Sequence, residues 1–130
     1  MNIPIIPQHA TKESAGADLI STKTIVINPG ETVLIPTDSY VPSNLPVMHC
    51  LKLYARSSLA YKKDLILKNC VGIIDRDYKD EIKVMLFNVG SEPQIIEANE
   101  RVAQLIAEPY INVFPVKDSV RAGGFGSTGK

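Results

Sequence analysis

Apolar residues recur along this chain in short runs rich in Val and Ile, and Pro or Gly separates most of the runs. Runs of this length and composition predict β-strands. The pattern places strands at Ile3–Ile6, Ala17–Ile20, Thr24–Ile27, Glu31–Pro36, Val47–Tyr54, Leu65–Lys68, Val71–Ile74, Glu81–Val89, Gln94–Glu97, Arg101–Pro109 and Ile111–Phe114. Asn28-Pro29-Gly30 reads as a turn, with Pro fixing φ and Gly taking the positive value. Glu81–Val89 carries Ile82, Val84 and Leu86 on one face and Lys83, Met85 and Phe87 on the other. Apolar residues on both faces predict burial on both sides, with a subunit contact as one way to achieve it.

Only one helix is predicted. Ser57 or Ser58 would cap it, and Leu59, Ala60, Tyr61, Lys62 and Lys63 would fill its turns. The expected fold is therefore all-β: a distorted, jelly-roll-like barrel of short strands with one short helix. Residues 117–130 break the pattern, being rich in Gly and Ser. They predict a flexible C-terminal arm outside a single domain spanning 1–116.

Composition narrows the partners. Lys plus Arg equals Asp plus Glu at 14 each, so no basic footprint for nucleic acid or an anionic membrane is expected. Cys50 and Cys70 lie in apolar runs without a CxxC partner and read as reduced core thiols. No signal peptide or membrane-length apolar run is visible, so a soluble intracellular protein is expected.

Candidate chemistry gathers in a few stretches. Between the apolar runs at Val71–Ile74 and Ile82–Leu86 sit Asp75, Asp77, Tyr78 and Asp80, more charge than a turn between strands requires. This predicts a β-hairpin that carries chemistry. Arg56-Ser57-Ser58 combines an Arg fork, two hydroxyls and a helix start, which suits an anion; an ordinary cap with a surface Arg is the competing reading. Residues 123–130, Gly-Gly-Phe-Gly-Ser-Thr-Gly-Lys, could wrap phosphate with backbone N–H groups. A P-loop would continue with Ser or Thr and a helix, so the nucleoside-triphosphatase fold is rejected while the phosphate chemistry is kept. Phe125, alone among glycines, suits base stacking. Asp18 at a strand start is usually turn chemistry, and for Gln104 inside an apolar strand a structural hydrogen bond is the commoner explanation, so neither alone marks a site. His9 and His49 have no metal or triad spacing, and His49 is expected in the core. Together these parts suit a phosphorylated ligand with a ring and a divalent cation. Mg²⁺ accepts one or two carboxylates when substrate phosphates and water complete its shell.

These stretches resemble the five motifs of the trimeric dUTPase family, in order and across nearly the whole chain. They are 15–21 (AGADLIS), 55–60 (ARSSLA), 72–78 (GIIDRDY) followed by Glu81-Ile82, 99–105 (NERVAQL) and 123–129 (GGFGSTG). The resemblance implies hydrolysis of dUTP to dUMP and pyrophosphate with Mg²⁺, which limits uracil in DNA and supplies dUMP for thymidylate synthesis. It also implies a homotrimer with active sites at subunit interfaces, located in the cytoplasm or, in a eukaryote or its virus, the nucleus. The implied roles follow the motifs. Asp75 would activate the attacking water. Tyr78 would lie against the deoxyribose. Asn69, Gly72 and Ile74 would line the uracil. Arg56, Ser57, Ser58 and Gln104 would hold phosphates, and Asp18 would reach Mg²⁺ through water. Phe125 would stack on the base, and Gly126, Ser127 and Thr128 would close on the γ-phosphate. Arg121, four residues before Phe125 where the family usually has five, would join them. Ala17 stands where the family is often aromatic, and Asp80 and Asn99 stand where Gly is usual. Both of the latter are expected to take left-handed turn positions. A dCTP deaminase shares the fold but usually lacks this arm, and a catalytically silent binding protein would not need the full set of candidate groups.

Overall fold

The computed structural model describes residues 3–117. Arg121, Phe125, Gly126, Ser127 and Thr128, with the rest of the expected arm beyond Lys117, lie outside the described residues. Ten strands and one helix follow each other as β1 (Gln8–His9), β2 (Ala17–Ile20), β3 (Ile25–Ile27), β4 (Thr32–Ser39), β5 (His49–Tyr54), α1 (Ser57–Lys63), β6 (Leu65–Leu67), β7 (Gly72–Ile74), β8 (Ile82–Asn88), β9 (Gln94–Ile96) and β10 (Arg101–Pro109). A five-stranded sheet has the order β1-β2-β10-β5-β7. A three-stranded sheet has the order β4-β8-β6, and β3 pairs with β9. Every pairing is antiparallel. The result is the expected all-β, jelly-roll-like architecture.

The core lies between the sheets. The five-stranded sheet contributes Leu19, Leu51, Leu53, Ala103 and Leu105, and the three-stranded sheet Ile35, Val84, Leu86, Leu65 and Leu67. Ile27 and Ile96 close it from the β3–β9 pair. Each fully buried aliphatic contributes roughly 1.5–3 kcal/mol of transfer energy, so this seam dominates the fold's stability. A buried polar link joins the sheets. The Asn88 amide donates to the carbonyls of Ile27 and Glu92, both at 2.8 Å, and its carbonyl accepts the Gly90 N–H at 2.9 Å.

Several expectations about local structure need correction. Ile3–Ile6 forms no strand, because Pro4 and Pro7 remove donors; Ile5 N–H reaches Asp38 O at 2.7 Å and Ile5 O accepts from the Ser39 hydroxyl at 2.7 Å. Ile111–Phe114 forms none either. It leaves β10 with Ile111, Val113 and Phe114 exposed and no strand alongside among the described residues. β8 is buried on one face only, with Lys83 exposed and Met85 and Phe87 half-buried. Cys50 is a buried thiol, but Cys70 is exposed at a left-handed turn position (φ 66°). His49 is half-buried rather than a core residue, with its Nδ1 3.1 Å from Val47 O. The helix cap is Arg56 in extended conformation with no side-chain cap, so Ser57 and Ser58 lie inside the first turn. Gly30 takes its positive φ (76°) as the turn required.

Candidate functional site

Sheet register builds the first cluster. Gln104 on β10 faces Asp18 on β2 and Tyr54 on β5, so the three side chains share one face of the five-stranded sheet. That face points away from the core, because Leu105 and Leu53, the inward neighbours, are buried. Gln104 donates its amide to the Ala55 carbonyl at 3.1 Å, which ties β10 to the approach of α1. Gly16 makes this possible. A Cβ at position 16 would lie 2.3 Å from Gln104 Oε1 and 2.8 Å from its Cβ. Arg56, at the head of α1, donates from Nη1 to the Arg101 carbonyl at 3.2 Å. The Arg101 guanidinium in turn lies 3.6 Å from Asp18 Oδ2. Asp18, Arg56 and Gln104 are thus brought together, with Ser57 exposed and Ser58 half-buried at the same helix start.

Farther along the same face, the Tyr54 hydroxyl donates to Glu108 Oε2 at 2.5 Å and Lys52 Nζ lies 3.2 Å from Glu108 Oε1. The Tyr54 hydrogen bond, then Lys52, hold Glu108 below the usual carboxylate range, although burial works the other way. The same Glu108 hydrogen bonds, aided by its charge, push Tyr54 and Lys52 upward.

The second cluster surrounds Asp75, and the expected hairpin is not there. β7 pairs with β5, whereas β8 pairs with β4 and β6. Residues 75–81 are a crossover from one sheet to the other. Tyr78 N–H closes a turn on Asp75 O at 3.0 Å. Arg76 Nε reaches Leu45 O at 2.9 Å. Tyr78 is 9% exposed, with its ring in the core cluster and its hydroxyl donating to Glu81 O at 2.8 Å. Glu81 anchors the far end, its Oε2 accepting the N–H groups of Thr37 (3.0 Å) and Asp38 (2.7 Å). Those two donors are exposed by an irregularity in β4, where register shifts between Pro36 and Ser39 and Asp38 is left-handed (φ 52°). Asp75 and Asn69 are exposed, Ile74 is half-buried and Gly72 is buried against Leu53. Asn69 sits in the β6–β7 turn with its amide nitrogen 3.4 Å from where a Gly72 Cβ would stand. Asn99 is left-handed (φ 72°) as expected, but Asp80 is not, so it does not replace a turn glycine in that sense.

The two clusters are separated within one chain. Ile74 faces Leu51, three positions from Tyr54, and Asp75 lies one further. At about 3.3 Å per residue and about 4.8 Å per strand, Asp75 is about 13 Å along and about 14 Å across the sheet from Asp18. A general base must sit within about 3 Å of the proton that it takes. Within one chain, Asp75 and the Asp18–Arg56–Gln104 corner therefore do not converge on one point.

Among the described residues no three His, Cys, Asp or Glu side chains gather as a metal cage. Asp18 beside Arg56 and Gln104 offers one carboxylate next to phosphate-type donors, which fits a cation carried by its substrate's oxygens and water rather than by protein alone. No helix among the described residues is long and apolar enough to cross a membrane.

Gly16, Glu81 and Arg101 have no role that the sequence alone assigns. Two signals were available: a glycine two residues before an acid at a strand start, and charged residues at the first positions of strands.

Comparison with known proteins agrees in one direction. The dUTPase family model matches residues 3–129. The deoxyuridine 5'-triphosphate nucleotidohydrolase of Neisseria meningitidis serogroup C is 42% identical over 95% of this chain and 87% of its own length. That of Rickettsia canadensis is also 42% identical, over 95% of this chain and 88% of its own. Among solved structures, the dUTPase from Streptococcus mutans superposes with a TM-score of 0.76 at 33% identity, covering 85% of this chain and 89% of that one.

Proposed function

The chain belongs to the dUTPase family, and from that premise we propose how its residues divide the reaction. The protein is an enzyme that hydrolyses dUTP to dUMP and pyrophosphate. Water attacks the α-phosphorus in line: the new P–O bond forms as the bond to the β-phosphate oxygen breaks, and pyrophosphate leaves. The Asp75 carboxylate orients that water and accepts its proton. Asn69, with the backbone of Gly72 and Ile74, reads the uracil edge, and Tyr78 bounds the deoxyribose. Arg56, Ser57, Ser58 and Gln104 hold phosphate oxygens and keep the nucleotide aligned. Asp18 would hold Mg²⁺ through water, and the cation bound there would neutralise phosphate charge. Arg121, Phe125, Gly126, Ser127 and Thr128 close over the base and γ-phosphate.

The observation that carries this division is the separation of Asp75 from the Asp18–Arg56–Gln104 corner. It supports a homotrimer in which one copy's Asp75 meets a neighbour's corner. Exposed apolar residues supply surface for such contacts: Ile73 is 68% exposed and Phe114 81%.

The test is pyrophosphate release from dUTP, dTTP, dCTP and UTP, with and without Mg²⁺, on a sample of measured oligomeric mass. Release confined to dUTP, stimulated by Mg²⁺ and found in the trimer, is expected. Ammonia release from dCTP would instead indicate a deaminase. Active monomers would overturn the shared site.

A further inference from the structure

β10 begins with an irregularity. Arg101 pairs with Ile20 and Ala103 with Leu19, so Val102 is an extra residue on that strand. A bulge of this kind re-aims the flanking side chain. Arg101 is aimed at Asp18, with Nη1 3.6 Å from Oδ2. Its neighbour Glu100 does not compete for it, because that carboxylate takes Lys63 Nζ at 3.0 Å and the Glu97 N–H at 2.9 Å. The Arg101 carbonyl simultaneously accepts from Arg56. One residue therefore touches both the carboxylate and the phosphate-binding Arg of the corner.

The contact is a loose one. It is long and made through one nitrogen, and the Arg101 side chain is 53% exposed where Asp18 is 20% exposed. A pair of this kind contributes little on its own and is readily exchanged. We propose that Arg101 is a positioning residue that serves as a placeholder counter-ion for Asp18, orienting the carboxylate in the cation-free site and yielding it when Mg²⁺–triphosphate arrives. Arg101 and the cation then compete for one carboxylate, so Arg101 sets how strongly the site depends on Mg²⁺. This inference rests on the reading that Asp18 serves the cation.

The experiment measures equilibrium binding of α,β-imido-dUTP by calorimetry, with and without Mg²⁺, on the full chain. The readout is the ratio of the two affinities. Arg101→Gln should raise the ratio roughly two- to five-fold, the span of an exposed ion pair. Arg101→Ala should move it the same way, and Arg101→Lys should leave it near the parent value. Asp18→Asn should bring the ratio towards one, and adding Arg101→Gln to Asp18→Asn should change it no further. If Asp18→Asn collapses the ratio but Arg101→Gln and Arg101→Ala leave it unchanged or lower, the placeholder role is wrong and the reading of Asp18 stands. If Asp18→Asn leaves the ratio unchanged, the reading of Asp18 fails and the inference falls with it. Thermal midpoints of all variants confirm that folded proteins are compared.

Discussion

The corner around Asp18 and the crossover around Asp75 are held by different physics. The corner is a product of register. Asp18, Gln104 and Tyr54 lie in one row of an antiparallel sheet, and their shared face follows from pairing alone. The crossover owes nothing to pairing, since β7 and β8 belong to different sheets. It is held instead by side chain to backbone bonds, with Glu81 gripping the β4 irregularity and the Tyr78 hydroxyl gripping Glu81 O. A register-built cluster is rigid because moving one member means slipping a strand. The crossover has no such row to slip: individual side-chain bonds and the buried Tyr78 ring fix it, so each can be changed separately. The contrast suits the division of labour proposed: phosphates gripped on a sheet, water and base handled on a loop.

The largest effect should come from the crossover's chemistry. Asp75→Asn should lower kcat about 10²- to 10⁴-fold, the usual contribution of a positioned base, while dUTP still binds. Pyrophosphate release at the parent rate would remove Asp75 from that role.

Next is the crossover's anchor. Glu81→Ala leaves the Thr37 and Asp38 N–H groups without their acceptor, at a cost of roughly 1–3 kcal/mol for partly buried donors. Denaturant unfolding should show that loss. kcat should fall further than the folded fraction does, because the segment that carries Asp75 loses its side-chain anchor to β4. Activity that merely tracks the folded fraction would mean that Glu81 holds the fold and not the loop.

A smaller effect is expected on the sheet face beyond the corner. Glu108 is held below the ordinary value of 4.5 by Tyr54 and Lys52, so its contribution is present above that value and lost as pH falls through the lower, folded one. Tyr54 and Lys52 are raised, so their share is present below their ordinary values of 10.0 and 10.5 and lost as pH rises through the folded ones. Glu108→Gln should therefore lower Tm at neutral pH, and the gap to the parent should close in acid. A gap that persists unchanged in acid would mean that packing, not charge, accounts for it.

Much of the fold was legible because its strands carry their signals locally. Ala17–Ile20 and Arg101–Pro109 are bounded as their apolar runs predict, and Gly30 and Asn99 take the backbone angles their residue types permit. Pairing was less legible. Val71–Ile74 and Glu81–Val89 read as a hairpin because neighbours in sequence usually pair, and only the tertiary contacts of β5 and β4 redirect them. Ile111–Phe114 has strand composition and no strand beside it among the described residues, a case where propensity alone does not make a strand. Within the site, Asp18 and Gln104 each looked ordinary alone, since nothing local says that positions 86 residues apart share a row. Gly16, Arg101 and Glu81 left only weak local signals, because each acts on a residue far away in sequence.

The separation of the two clusters is best tested by mixing subunits. Asp75→Asn chains keep the corner intact, and Arg56→Ala chains keep the base. Each variant alone should be nearly inactive. When the two are unfolded together, mixed one to one and refolded, sites that draw Asp75 from one copy and the corner from another should recover about a quarter of parent activity, one half times one half for random assembly. Recovery at that level, absent when the separately refolded proteins are simply combined, is the predicted result. A mixed sample as inactive as its components would mean that each chain supplies Asp75 and Arg56 to its own site, contrary to the separation described.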